Sequence, residues 1–444
     1  MALDSVSPQA GEVPAPSSAG DLTKHLIRYG GDFMPMLIER AQGSYVYDSD
    51  GRAILDFTSG QMCATLGHNH PAVVAAVRAS CDRSFHLFSA MLSPEVVGLA
   101  EDLAALLPPR LQKTMLLSTG AEANEAALRL AKLKTGGFEV LALSGSWHGM
   151  TSGAASSTYS GGRRGYGPAM PGTMALPGPN AFRCPVRHCR DQCDMTCLAA
   201  GFDQFDAQSV AAPAAVLAEP IQSSAGIIVP PPGYFVRLKE FCEERGLLLI
   251  MDEAQTALGR VGALFAFEQE GAVPDILCLS KTLGGGLPLS ATITSAEIEA
   301  ACYERGFLHY TSHVSDPLPA AVGRAVLKVI LGEGLAARAR EMGAYLKDGL
   351  SALQQRYEAI GDVRGRGLLL GVELVKDRER RTPHHDLSNR ITRRCLELGL
   401  GMNIRAVAGA ASAVWRIAPP LTVSRAEIDL GLEILDQALR ESTG

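Results

Sequence analysis

No apolar run in this sequence approaches the roughly 18 to 20 uninterrupted residues of a membrane span. The stretch 246–251, one of the more apolar, stops at Asp252. A bilayer-crossing chain is therefore not expected. A long basic run is also missing: 41 Lys plus Arg face 47 Asp plus Glu, for a formal charge of −6, so nucleic acid is not an expected partner. Cysteine is scarce. Ten in 444 residues are too few for a disulfide scaffold and suit thiols in a reducing compartment. The first 20 residues lack the basic-then-apolar order of a secretory leader, which points to the cytoplasm. What is present is 47% hydrophobic and 20% charged residues, the balance of a globular chain of two to three domains at about 150 residues each.

Residues 1–22 read as a loose tail, because Pro and Ser dominate and no apolar period appears. Residues 23–60 read as the N-terminal part of a small domain, 61–330 as a large α/β domain, and 331–444 as the C-terminal part of the small α+β domain. Strands are expected at 114–118, 140–143, 215–218, 247–251 and 276–279. Several are apolar at successive positions, as in a parallel sheet covered on both faces. Helices are expected at 121–134 and 234–245, and later at 334–356 and 424–440; Ser424 and Glu427 have capping-box spacing. A strand is expected at 367–374. Gly365, Gly367 and Gly371 mimic a dinucleotide fingerprint, yet they lead into and lie within this strand rather than follow one.

Ligands of open α/β sheets sit beyond the carboxyl ends of the strands, so the residues after each strand come first. Thr119-Gly120-Ala121-Glu122 opens a helix whose free N–H groups would hold a phosphate; an ordinary glycine turn is the alternative. Asp252 could face a protonated ring nitrogen or act as a cap. Lys281, before Gly284-Gly285-Gly286, suits Schiff-base chemistry if desolvated, or reaches solvent. Anion cradle, carboxylate and amine at successive strand ends together match the needs of pyridoxal 5′-phosphate.

At these residues the sequence resembles the class III pyridoxal-phosphate aminotransferases. The motifs are Ser118-Thr119-Gly120-Ala121-Glu122, Ser146-Trp147-His148-Gly149, Asp252-Glu253-Ala254-Gln255 and Leu279-Ser280-Lys281-Thr282-Leu283. Within the family, Phe57-Thr58-Ser59-Gly60-Gln61-Met62, Tyr310-Thr311-Ser312-His313-Val314-Ser315-Asp316-Pro317 and Arg416-Ile417-Ala418-Pro419-Pro420-Leu421-Thr422 are most similar to the 2,2-dialkylglycine decarboxylases. The resemblance implies a fold type I transferase with a large, mostly parallel sheet. Lys281 would form the imine and shuttle protons, Asp252 pair with the ring nitrogen, Gln255 approach the ring oxygen and Trp147 stack on the ring. Thr119, Gly120 and Ala121 would hold the phosphate, with Ser312, where the family carries Thr, reaching in from a neighbouring subunit. A homodimer or homotetramer follows.

For substrate, the resemblance implies Gln61, Trp147, Met150, Ser224 and Arg416. Gln61 with Lys281 would hold a leaving carboxylate out of the ring plane; Arg416 would clamp the carboxylate of pyruvate or alanine. The implied reaction is decarboxylation of small dialkylglycines such as 2-aminoisobutyrate, with pyruvate as acceptor, giving ketone, CO2 and alanine. The alternative is amino transfer to pyruvate without decarboxylation. A potassium or sodium site is also implied, formed by the carbonyls of Leu87, Ser312 and Val314, the Ser89 side chain and the Asp316 carboxylate. Outside the resemblance, Cys184, Cys189, Cys193 and Cys197, with His188, are dense enough to hold zinc or an iron-sulfur cluster, although their spacing is not that of common zinc knuckles. His68-Asn69-His70 reads as the cap of a helix starting near Pro71 rather than a metal site.

Overall fold

The computed structural model describes residues 23–30, 33, 34, 36–160, 163, 165–184, 186, 193–402 and 413–443. The expected tail 1–22 lies outside them. The centre is a seven-stranded sheet in the order β4-β10-β9-β8-β7-β5-β6. Its strands are β4 (Lys113–Leu117), β5 (Glu139–Leu143), β6 (Thr173–Leu176), β7 (Pro213–Ala218), β8 (Leu248–Asp252), β9 (Ile276–Leu279) and β10 (Ser290–Thr294). Strand β10 runs antiparallel to both neighbours and the other pairings are parallel. Strands β5 and β9 are buried at every residue, which explains why they read as continuous apolar runs rather than alternating ones.

The helix Gly120–Thr135 packs on this sheet through Leu130 and through Ala123, Ala126, Ala127 and Ala131, small residues that let it approach closely. It starts at a capping box: Glu122 N donates to Thr119 Oγ1, and the Glu122 carboxylate accepts from Thr119 N at 2.9 Å. Gly136, at φ 76°, ends it. The helix Pro71–Cys81 is capped by His70, whose Nδ1 accepts from Ala72 N.

Beside the main sheet, β1 (Ile38–Gln42), β2 (Tyr45–Asp48) and β3 (Ala53–Asp56) form an antiparallel ribbon joined in parallel by β13 (Leu400–Gly401), so the N-terminal strands meet the C-terminal part of the chain. A third sheet, β11-β12-β14, is antiparallel. Strand β11 (Ile360–Arg366) turns into β12 (Leu369–Leu374), and β14 (Val414–Ile417) lies on its far side. The glycines that mimic a nucleotide fingerprint serve this hairpin. Gly367 has φ 53°, and a Cβ there would stand 2.6 Å from the Arg260 carbonyl. The helix Leu335–Arg356 covers β11 and β12, and the helix Arg425–Thr443 packs on that helix and on β13; Ser424 and Glu427 open the second as a reciprocal capping box.

Candidate active site

The carboxyl ends of β4, β5, β7, β8 and β9 gather around a cavity of about 350 Å³. Its wall brings together Thr119, Gly120, Ala121, Trp147, Asp252, Gln255 and Lys281, together with Cys63 and Glu219. All but Cys63, which follows the turn at Ser59–Met62, stand at or shortly after the carboxyl end of a strand of the main sheet, where ligands of open α/β sheets bind.

Asp252 is buried at the floor. Its Oδ2 accepts from Asn124 Nδ2 at 2.8 Å and lies 2.9 Å from His148 Nδ1, and its Oδ1 accepts from Ala254 N. Burial by itself raises the Asp252 carboxyl; the bonds and charge of His148, the Asn124 amide and the Lys281 cation outweigh it, so the group is held below the ordinary carboxylate range. An ionised Asp252 only accepts, so His148 Nδ1 is the donor of this bond, and Nε2 is buried with no hydrogen-bond partner among the described residues. Glu219 holds the neighbouring turn: it accepts from Trp147 N at 2.9 Å and Ser223 N at 3.1 Å. Ser223 Oγ in turn donates to Gln255 Oε1 at 2.8 Å, fixing the amide that lines the cavity.

At the opposite end, Gly120 and Ala121 precede the first intrahelical bond, Ala123 N to the Thr119 carbonyl, so their N–H groups are those a helix start leaves for a ligand. A Cβ on Gly120 would lie 2.9 Å from Ser280 Oγ, and one on Gly149 would lie 2.5 Å from Ala121 Cβ. The space at this helix start thus exists only with glycine at these positions. An ionised carboxylate, a lysine and an anion cradle on one wall fit pyridoxal 5′-phosphate.

The expected substrate residues are less concentrated. Gln61 lies in a turn where Ser59, Gly60, Gln61 and Met62 all have left-handed φ, 48, 55, 63 and 66°. The non-glycine members cost about 1–2 kcal/mol each, and Asp56 braces the turn by accepting from Thr58 N, Gly60 N and His68 Nε2. Two residues on, Cys63 reaches the cavity wall, and Thr65 Oγ1 bonds Thr282 Oγ1 at 2.9 Å, beside Lys281. Arg416 lies on β14 opposite Gly371. The turn and this strand meet: Ala418 N donates to the Phe57 carbonyl, and Ser59 Oγ donates to the Ala418 carbonyl. Ser224 is half-buried in the turn after Ser223, and Met150 borders a separate hollow with Arg163 and Tyr166.

Ser312 is exposed and outside the cavity of a single chain. Ser89 Oγ is buried with no hydrogen-bond partner among the described residues, as a cation ligand would be, but the two Asp316 oxygens face His86 Nδ1 at 2.6 Å and His313 Nδ1 at 2.7 Å. Leu87 and Val314 are half-buried. Cys189 and His188 lie outside the described residues. Cys184, Cys193 and Cys197 are thiols, and no grouping of three possible metal ligands among the described residues includes them.

Sequence reasoning missed Asn124, Glu219 and Ser223. Glu219 directly follows the expected strand 215–218, so the rule that singled out Asp252 and Lys281 applies to it. Asn124, one turn inside a helix, carries no such signal.

Fold and cavity define a pyridoxal-phosphate enzyme of fold type I. The chain belongs to the class III aminotransferase family, whose model matches residues 27–439. It is 51% identical over 417 residues to an aminotransferase of Schizosaccharomyces pombe, covering 94% of this chain and 93% of the relative. It is 36% identical over 415 residues to a leucine/methionine racemase of Thermococcus litoralis, covering 92% and 91%. An amine transaminase from an uncultivated Pseudomonas species, solved with the cofactor bound, superposes with a TM-score of 0.85 at 29% identity, covering 99% of both chains. No described helix is long and apolar enough to cross a membrane.

Proposed function

We propose that the chain transfers an amino group from an amine or amino acid to pyruvate or a related small 2-oxo acid. The single observation that carries this reading is the shared wall of Lys281, Asp252, Gln255, Trp147 and the Thr119–Ala121 helix start. The aminotransferase and amine transaminase relatives support it. Once bound, the cofactor supplies an aldehyde and an electron-accepting ring. Lys281 takes and returns the proton at the substrate Cα. Asp252, kept ionised, would stabilise positive charge at the ring nitrogen, and Gln255 would donate to the ring oxygen. Trp147, on the same wall, would cover the ring face and exclude water from it. The helix start would hold the phosphate, and Ser312 of a neighbouring subunit would complete the cradle in a homodimer. Arg416 binds the substrate carboxylate, bidentate where geometry allows.

A second reading adds loss of CO2 from small 2,2-dialkylglycines, and the left-handed turn favours it. Backbone strain of this kind persists where it serves a site, and here it falls at Gln61, the amide expected to orient a leaving carboxylate. Incubation with 2-aminoisobutyrate and pyruvate separates the two. Amino transfer from varied donors without CO2 supports the first, and equal amounts of CO2, acetone and alanine support the second. No alanine from any donor contradicts both.

A further inference from the structure

Arg260 is fully buried, yet its guanidinium has no carboxylate partner among the described residues. Burial without a counter-ion lowers it from the usual arginine value to about 9. A cation is costly in such a place, and a leucine or methionine of similar volume would fill the space without that cost. What the guanidinium does instead is bond four groups from separate parts of the chain. Nη1 donates to the Pro419 carbonyl at 2.5 Å and the Leu368 carbonyl at 3.1 Å. Nη2 lies 3.5 Å from Ser59 Oγ and 3.4 Å from Thr65 Oγ1. Ser59 opens the left-handed turn of Gln61, and Pro419 follows the strand of Arg416. Thr65 bonds Thr282, next to Lys281. The backbone at Arg260 is clamped as well, since its carbonyl accepts from Leu368 N at 3.0 Å.

We propose that Arg260 is a positioning residue for the substrate carboxylate, setting the Gln61 turn, the Arg416 strand and the Lys281 segment in one register. It rests on the reading that Arg416 binds that carboxylate, Gln61 being the amide that orients a leaving carboxylate in the decarboxylating reading. A planar guanidinium bonds several carbonyls and hydroxyls at fixed angles, which neither lysine nor an apolar residue reproduces. Its loss shifts the two carboxylate-binding groups relative to Lys281, and a displacement near 1 Å costs about 100-fold in rate.

The test compares two half-reactions of the holoenzyme, followed by cofactor absorbance: one with alanine, one with a primary amine lacking a carboxylate. Arg260→Met is expected to lower kcat/KM for alanine by about 100-fold more than for the amine. Arg260→Lys should recover part of that difference. Ser59→Ala, which keeps the cation and removes one of its contacts, should shift selectivity in the same direction by about tenfold. Equal losses on both substrates in Arg260→Lys and Ser59→Ala, whatever the change in melting temperature, would overturn the proposal and leave a purely structural arginine. Arg416→Met separates this from the parent reading: if it leaves alanine selectivity intact, the carboxylate site itself is misassigned.

Discussion

Asp252 and Glu219 line the same cavity and are both buried, yet their environments drive them apart. Asp252 collects an imidazole, an amide and a nearby lysine, whereas for Glu219 burial, joined by the Asp252 charge, outweighs the His148 charge and two backbone N–H groups and pushes it up to about 7. An Asp252→Asn variant is expected to retain cofactor but lose about 100-fold or more in kcat, since an amide cannot balance a ring-nitrogen charge; an unchanged kcat measured at saturating substrate would remove Asp252 from the chemistry. For Glu219 the consequence is in stability. The unfolded carboxyl titrates near about 4.3, so between there and about 7 the folded chain holds a proton that the unfolded chain has released. That contribution is complete below the unfolded value and fades as pH rises through about 7. Glu253, also pushed up to about 7, adds the same trend. Melting temperature should therefore fall across this window, and Glu219→Gln should flatten the slope without abolishing it. A variant profile that overlays the parent would contradict the assignment.

Among secondary elements, the helix Gly120–Thr135 shows how much was legible. Thr119 and Glu122 announced its start, and the glycine between them marked the cradle. Gly120→Ala should leave the fold intact, because Ser280 Oγ can rotate away, while weakening cofactor retention by about tenfold; equilibrium dialysis against pyridoxal phosphate measures it, and undiminished retention would contradict a phosphate at this end. Strands β5, β7, β8 and β9 were also legible, as apolar runs ending in polar residues. Strand β10, Ser-Ala-Thr-Ile-Thr, was not: its hydroxyls bond inward, Ser290 Oγ to the Thr119 carbonyl and Thr292 Oγ1 to the Ala123 carbonyl, so a buried strand reads as half polar. Nor was the turn at Ser59–Met62 readable. Non-glycine residues adopt left-handed φ there because of Asp56 and the Ala418 carbonyl, contacts that form only on folding. Arg260 escaped notice for a related reason: a buried arginine follows no apolar period.

For the molecule as a whole, the sheet gathers strand ends separated by more than 150 residues in sequence into one cavity, and the third sheet brings the strand of Arg416 to the Ser59–Met62 turn. Ser312 remains outside that cavity in one chain, so completion by a second subunit carries a test of its own: activity per chain should fall on dilution in step with dimer dissociation followed by mass photometry, and a fully active monomer would contradict it. The central claim is narrower and more direct. Reduction of the holoenzyme with borohydride, followed by proteolysis and mass spectrometry, should leave one reduced pyridoxyl group on the peptide that carries Lys281 and bleach the visible band. A label on any other lysine, or no label with the cofactor bound, would contradict the account.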